Sequence, residues 1–173
     1  MNTKLQRTVT AAMIAAMTTI ATMIIKVPTL GTNGYVNIGD SIVLLAAWLL
    51  GNPYGALAAG VGSALADLLS GYPAYIPGTA VIKFLMAFVA AIVFKTAVKK
   101  DVPRVVSYMI SSLVAEVIMI AGYFLYESTL LGYGLAAAAS IGSNAIQGVT
   151  CMILGNALIH VLMRIGYIKK NVV

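Results

Sequence analysis

Six apolar stretches separated by polar or turn-forming residues run along the chain, at 8–27, 38–52, 54–70, 78–97, 104–126 and 136–163. A helix needs about 20 apolar residues to cross a hydrocarbon core. The stretches at 38–52 and 54–70 are shorter and are joined by Asn52-Pro53, which predicts a tight helical hairpin or two helices leaning on their neighbours. The pattern as a whole predicts an all-α integral membrane bundle of six transmembrane helices. Gly31 to Asn37 (GTNGYVN) is the longest polar, glycine-bearing segment, a loop of the kind that contacts ligands and a candidate lid. Neither a composition shift nor a convincing internal repeat divides the chain, so residues 1–173 are expected to form one domain. The missing repeat argues against a self-contained secondary transporter, which usually rests on two related halves.

Composition supports the membrane reading. Of 173 residues 61% are hydrophobic and 9% charged, against roughly 25% charged in soluble domains, and mean hydropathy is +0.96. A soluble globular enzyme is excluded. Cys151, the single cysteine, has no disulfide partner in the chain, and no cysteine and histidine cluster suits a metal. The net charge of +6 comes from cations scattered at helix ends and does not predict nucleic acid as a partner. It sets topology instead. With six spans both termini share a side, and that side holds Lys4, Arg7, Lys95, Lys99, Lys100, Arg104, Arg164, Lys169 and Lys170, so both termini are expected to be cytoplasmic. The first stretch is too long for a cleavable signal peptide and lacks a clear small-x-small cleavage site.

Polar groups within the apolar stretches are the candidates for chemistry, because an ionisable side chain at membrane depth costs at least about 2.5 to 3.5 kcal/mol and needs compensation. Lys83 lies about 7 Å inside the fourth helix, at 1.5 Å per residue. Glu116 lies near the middle of the fifth, with Tyr123 further out on the same face. Asn144 and Gln147 share a face of the sixth. Two readings fit: a ligand site, or a structural Lys83–Glu116 ion pair with the amides tying helices together. Convergence of several polar groups at one depth favours the site. Asp40 opens the second helix, where it either caps the helix and favours its dipole or meets a ligand. Asp67, nearly a turn inside the third helix, either meets a ligand or bonds the loop that follows. Asn33, Tyr35 and Asn37 supply contacts from the candidate lid.

Small residues form a second pattern. Ala11, Ala12, Ala15 and Ala16 make two overlapping AxxxA pairs, and Gly55, Ala59, Gly62, Ser63 and Ala66 repeat the small spacing in the third helix, where internal packing is the simpler expectation. The first helix also offers its alanines to a partner. A phosphate-cradling GxxxxGK[ST] loop is missing, and Ser63 and His160, the nearest approach to a nucleophile and base, are expected at different depths. Neither catalysis nor a cofactor is predicted.

The segment YVNIGDSIVLLAAWLLGNPYGALAAGVGSALADLLSGYP, residues 35–73, followed by TAVIKFLM at 79–86 and preceded by the alanine pairs, resembles the substrate-binding S components of energy-coupling factor (ECF) vitamin transporters, in particular the riboflavin-transporter-like group. The resemblance implies a vitamin captured at an outward-facing site built from the first extracellular loop and helices 4 to 6. It also implies delivery through the bacterial plasma membrane with a transmembrane T component and two ABC-type ATPase subunits, the alanine face docking the T component. Substrates associated with the group are riboflavin, hydroxymethylpyrimidine and pyridoxine-like compounds. With one ionisable carboxylate beside amides and tyrosines, and Trp48 placed in packing or against lipid, a single-ring heterocycle is expected ahead of riboflavin. A scaffold or a lipid-modifying enzyme is the alternative of another class.

Overall fold

A computed structural model describes residues 4–29 and 31–164. Six α-helices dominate it: α1 Lys4–Ile24, α2 Asp40–Leu50, α3 Tyr54–Ser70, α4 Ile76–Lys99, α5 Arg104–Leu125 and α6 Ala138–Arg164. A π-helical turn, Tyr126–Leu130, continues α5, and a 3-10 turn, Gly134–Ala137, leads into α6. Helix boundaries follow backbone chemistry. Pro53 and Pro103 directly precede α3 and α5, and Pro77 sits in the first turn of α4, where a missing N–H leaves no bond unmade. Gly71 closes α3 with φ 81°, returning its N–H to the carbonyls of Asp67 and Leu68.

The chain is not wholly helical. Lys26–Pro28 (β1) and Tyr35–Asn37 (β2) pair antiparallel, Val27 opposite Val36. The first apolar stretch, expected to stay helical to residue 27, leaves the helix at Ile24, and the last three residues of the expected loop, 35–37, are strand. Strands of three residues carry too little alternation for the hydrophobic pattern to reveal them.

Contacts along the helices show that the bundle runs up and down. Lys26 at the end of α1 meets Ser70 at the end of α3, Tyr126 after α5 meets Ala74 before α4, and Gly31 packs against Ala139 at the start of α6. These ends and the hairpin form one pole. Lys4, Arg7, Lys95, Lys99, Lys100, Arg104 and Arg164 lie towards the other; Lys169 and Lys170 fall outside the described residues. α1, α4, α5 with its π turn, and α6 are long and apolar enough to cross a membrane, whereas α2 and α3 are shorter. Large apolar side chains such as Met13, Val117 and Ile153 face outward, as lipid contact requires.

α2 is the innermost element, with every residue except Leu49 buried. Its apolar character all round suits that position. α3 approaches it so closely that a β-carbon on Gly55 would strike the Ala46 carbonyl. Trp48 is fully buried, donates its indole N–H to Ser111 Oγ at 3.0 Å, and packs edge-on against Tyr108, which stacks on Phe94. The small face of α3 is internal as expected, Gly62 lying against the Ala15 carbonyl.

Gly55→Val should therefore lower the thermal midpoint in detergent by the equivalent of about 1–3 kcal/mol, the usual cost of overpacking. Gly142→Ala, where a β-carbon meets open space, should be neutral or gain up to about 1 kcal/mol of helix propensity. Equal midpoints for the two variants would contradict the tight α2–α3 contact.

Candidate functional site

The pole that carries the hairpin gathers the polar groups. Asp40 is the first residue of α2 and Lys83 lies two turns into α4; their side chains form a buried ion pair, Nζ to Oδ1 2.5 Å. Gln147 of α6 donates from Nε2 to Asp40 Oδ2 at 2.6 Å, and its Oε1 accepts the Asn37 backbone N–H at 2.7 Å. One connected set of bonds thus joins β2, α6, α2 and α4. Cys151 adds a weak Sγ contact to the Asn37 carbonyl at 3.4 Å.

Two further carboxylates stand above this set. Asp67 accepts the Tyr35 hydroxyl at 2.7 Å through Oδ1, while its buried Oδ2 has no hydrogen-bond partner. Glu127, in the π turn, accepts from Tyr75 at 3.0 Å and from Ser140 at 2.5 Å. Burial pushes the Tyr35 phenol pKa up and the neighbouring Asp67 charge adds to it; burial likewise raises Tyr75. Both phenols therefore stay neutral donors at physiological pH. Tyr123 shares a 3.0 Å hydrogen bond with Thr79, and Lys83 Nζ lies 5.2 Å from its ring centroid.

These groups enclose a polar cavity of about 20 Å³, lined among others by Tyr35, Asn37, Asp67, Lys83, Tyr123 and Asn144. That is room for about one water molecule. Six of the expected ligand residues are thereby brought together. Asp40 and Gln147 lie behind the wall, bonded to it. Asn33 is at the exposed hairpin tip, donating to the Tyr133 hydroxyl at 3.0 Å. Glu116 does not line the cavity. It is buried against Gly148, and neither carboxylate oxygen has a hydrogen-bond partner.

Several expectations are corrected. Asp40 does not cap its own helix, since both its oxygens serve Lys83 and Gln147. The alternative ion pair between Lys83 and Glu116 does not form, because Lys83 turns to Asp40. Asp67 bonds a side chain of the hairpin, where a bond to the backbone of the following loop had been the alternative. Of the two places expected for Trp48, packing or lipid, it takes packing. Sequence reasoning missed Thr22, Ser63, Tyr75, Thr79 and Glu127 as cavity residues. Thr79 was within reach, being one turn before Lys83 on the same face. Glu127 lies one residue beyond the fifth apolar stretch, which ends at 126, and the π turn carries it inward; such turns are common at functional sites. Ser63 lines the cavity while His160 bonds Asn156 and faces Tyr108 towards the other pole, so they make no catalytic pair.

The alanines lie away from this site and divide cleanly. Ala12 and Ala16 are exposed, whereas Ala11 and Ala15 are half-buried against the core.

The fold is thus an apolar helical bundle, of the kind that sits in a membrane, with a small polar cavity at one pole beside the β-hairpin. A family model described as the ECF-type riboflavin transporter, S component, matches residues 2–164. The chain belongs to this family of transporter S components, and is an integral membrane protein and not an enzyme. A protein of Pyrococcus woesei described only as an uncharacterized protein in a gap 3′ region is 32% identical over 153 residues, 88% of this chain and 99% of the relative. Among solved structures, one described as the S component of a bacterial ECF transporter matches at TM-score 0.69 and 20% identity, over 94% of this chain and 98% of its own. That likeness is one of fold.

The ion pair sets a direct test. Lys83→Met leaves a buried carboxylate without its partner and should destabilise by about 3–5 kcal/mol, read as a fall in thermal midpoint. The double change Lys83→Met with Asp40→Asn should recover most of that loss. A single variant as stable as the unmodified protein would show that the pair contributes nothing.

Proposed function

We propose that this protein is the vitamin-binding S component of an ECF-type importer in the bacterial plasma membrane. It captures a small heterocyclic vitamin or precursor outside the cell and delivers it inward with a transmembrane T component and two ABC-type ATPase subunits. The observation that carries this reading is the buried polar cavity beneath the hairpin, in a chain of the S-component family. The cation-bearing pole faces the cytoplasm by the positive-inside rule, which puts the cavity at the outer face and both termini inside. Six crossings then follow, α2 and α3 passing as a short pair held by longer neighbours.

A cavity of about 20 Å³ is far below the roughly 300 Å³ of small-ligand sites, so the hairpin is the lid and must move for entry. Residues 31–37 are tied to the bundle by few bonds, chiefly Tyr35 to Asp67 and Asn37 to Gln147. Hydroxymethylpyrimidine or a pyridoxine-like compound suits the cluster of carboxylates and phenols best. Riboflavin is the second reading, favoured by the description of the matching family. Mass spectrometry of the small molecule retained by the purified protein tests the proposal. One vitamin per chain is expected, and a chain that neither retains nor binds any vitamin would refute it. Bound vitamin should also slow hydrogen exchange across residues 31–37; equal exchange with and without it would remove the lid.

The exposed pair Ala12 and Ala16 is the proposed T-component surface. Tryptophan at either position should abolish co-purification with the T component and vitamin uptake by cells, because small residues permit close helix approach. Vitamin affinity of the isolated protein should be unchanged. Full uptake by both variants would show that this face docks nothing.

A further inference from the structure

The distribution of charge at the site specifies its ligand more narrowly than shape does. The sequence holds five acidic residues, and four of them, Asp40, Asp67, Glu116 and Glu127, are buried in this half of the bundle. Lys83 is the one buried cation among the described residues, and Asp40 already engages it. Two carboxylates, Asp67 and Glu127, form part of the cavity wall. Glu127 is satisfied by Tyr75 and Ser140, but Asp67 Oδ2 is buried on the cavity wall with no donor. Three tyrosines, Tyr35, Tyr75 and Tyr123, line the same space. Two of these rings already stand near an ammonium: Lys26 Nζ is 5.8 Å from the Tyr35 centroid and Lys83 Nζ 5.2 Å from that of Tyr123.

We propose that the ligand of this cavity binds as a cation, a nitrogen heterocycle with a basic ring nitrogen or amidine-like amine whose N–H meets Asp67 Oδ2 while its ring stands among the three tyrosines. The proposal rests on the vitamin-binding reading and narrows it. A neutral ligand without a donor at that end would leave Asp67 Oδ2 desolvated and without a donor, and an anion would add repulsion. A cation supplies both the missing donor and the countercharge, and tyrosine faces attract it through their quadrupoles. The excess of buried carboxylates also favours the protonated form of a weak base once it is inside, since an opposite charge nearby stabilises the charged state.

The test uses the full-length protein in detergent and isothermal titration at neutral pH, with two matched pairs of probes and riboflavin. The first pair is hydroxymethylpyrimidine carrying its exocyclic amine, against the counterpart with oxygen in place of the amine. The second is pyridoxine against the same ring with carbon in place of nitrogen. At least one basic probe should bind roughly 10- to 100-fold more tightly than its neutral counterpart, the range for a hydrogen bond to a charged group. Asp67→Asn should collapse that difference. Equal affinities within each pair, or binding of riboflavin alone, would overturn the cationic ligand while leaving the vitamin-binding function standing. Failure of all five probes, with no small molecule retained on purification, would overturn that function and this inference with it. The pairwise comparison on the unmodified protein keeps the result decisive even where Asp67→Asn folds poorly.

Discussion

An ion pair buried in a low-dielectric bundle organises the structure. Removing the Asp40 and Lys83 charges from water is costly, and the pair is tolerable only where geometry is good and the remaining valences are filled. Here Gln147 fills the second oxygen of Asp40 and the Tyr123 ring lies beside the ammonium. The consequence is positional. Asp40 begins the innermost helix, Lys83 sits on α4 and Gln147 on α6, so satisfying one carboxylate sets the relative heights of three helices. The remaining acceptor of Gln147 is spent on the backbone of β2, which brings the hairpin under the same constraint.

On the proposed reading, the hairpin is the part of the site that moves. The helices are held by extensive small-residue contacts such as Gly55 on Ala46 and Gly62 on Ala15, and close-packed interiors do not deform gradually. The hairpin is a two-stranded element, marginal by itself, held to the helices by hydrogen bonds from Lys26, Asn33, Tyr35 and Asn37 and by Gly31 packed on Ala139. On that reading, opening it would expose the cavity without unpacking a helix. The Asn37–Gln147 bond is one residue removed from the ion pair, so the hairpin and the polar floor are mechanically linked.

Much of this was legible in the chain. The six helices follow from long apolar stretches and from proline and glycine punctuation, signals strong enough to locate α3 and α5 almost to the residue. Lys83, Tyr123 and Asn144 announced themselves because polar groups at membrane depth demand an explanation. What escaped was pairing. Lys83 had two buried acids within plausible reach, and the alternative to a ligand site paired it with Glu116 because both lie within long helices. The actual partner, Asp40, is brought to the same level because α2 is short and sunk inside the bundle. Glu127 escaped because the apolar stretch ends at 126, while a π turn, which no 3.6-residue pattern announces, continues α5 past that point. The hairpin was invisible because its hydrogen bonds, not its side-chain pattern, define it.

Helix α1 shows how one spacing can serve two purposes. Successive residues of an α-helix are about 100° apart, so the overlapping alanine pairs form two stripes, one turned inward and the other out. Ala11 and Ala15 use their small size to admit α3, with Gly62 against the Ala15 backbone. Ala12 and Ala16 present the same smoothness outward, amid the exposed Val9, Met13 and Met17, where no element of this chain covers them among the described residues. The polar cavity lies at the far end of this helix, lined there by the inward-facing Thr22. A partner helix on the outer stripe therefore touches none of the groups that line the cavity. On the proposed reading, capture and delivery depend on different faces of the same helix, so each can be lost by mutation without the other.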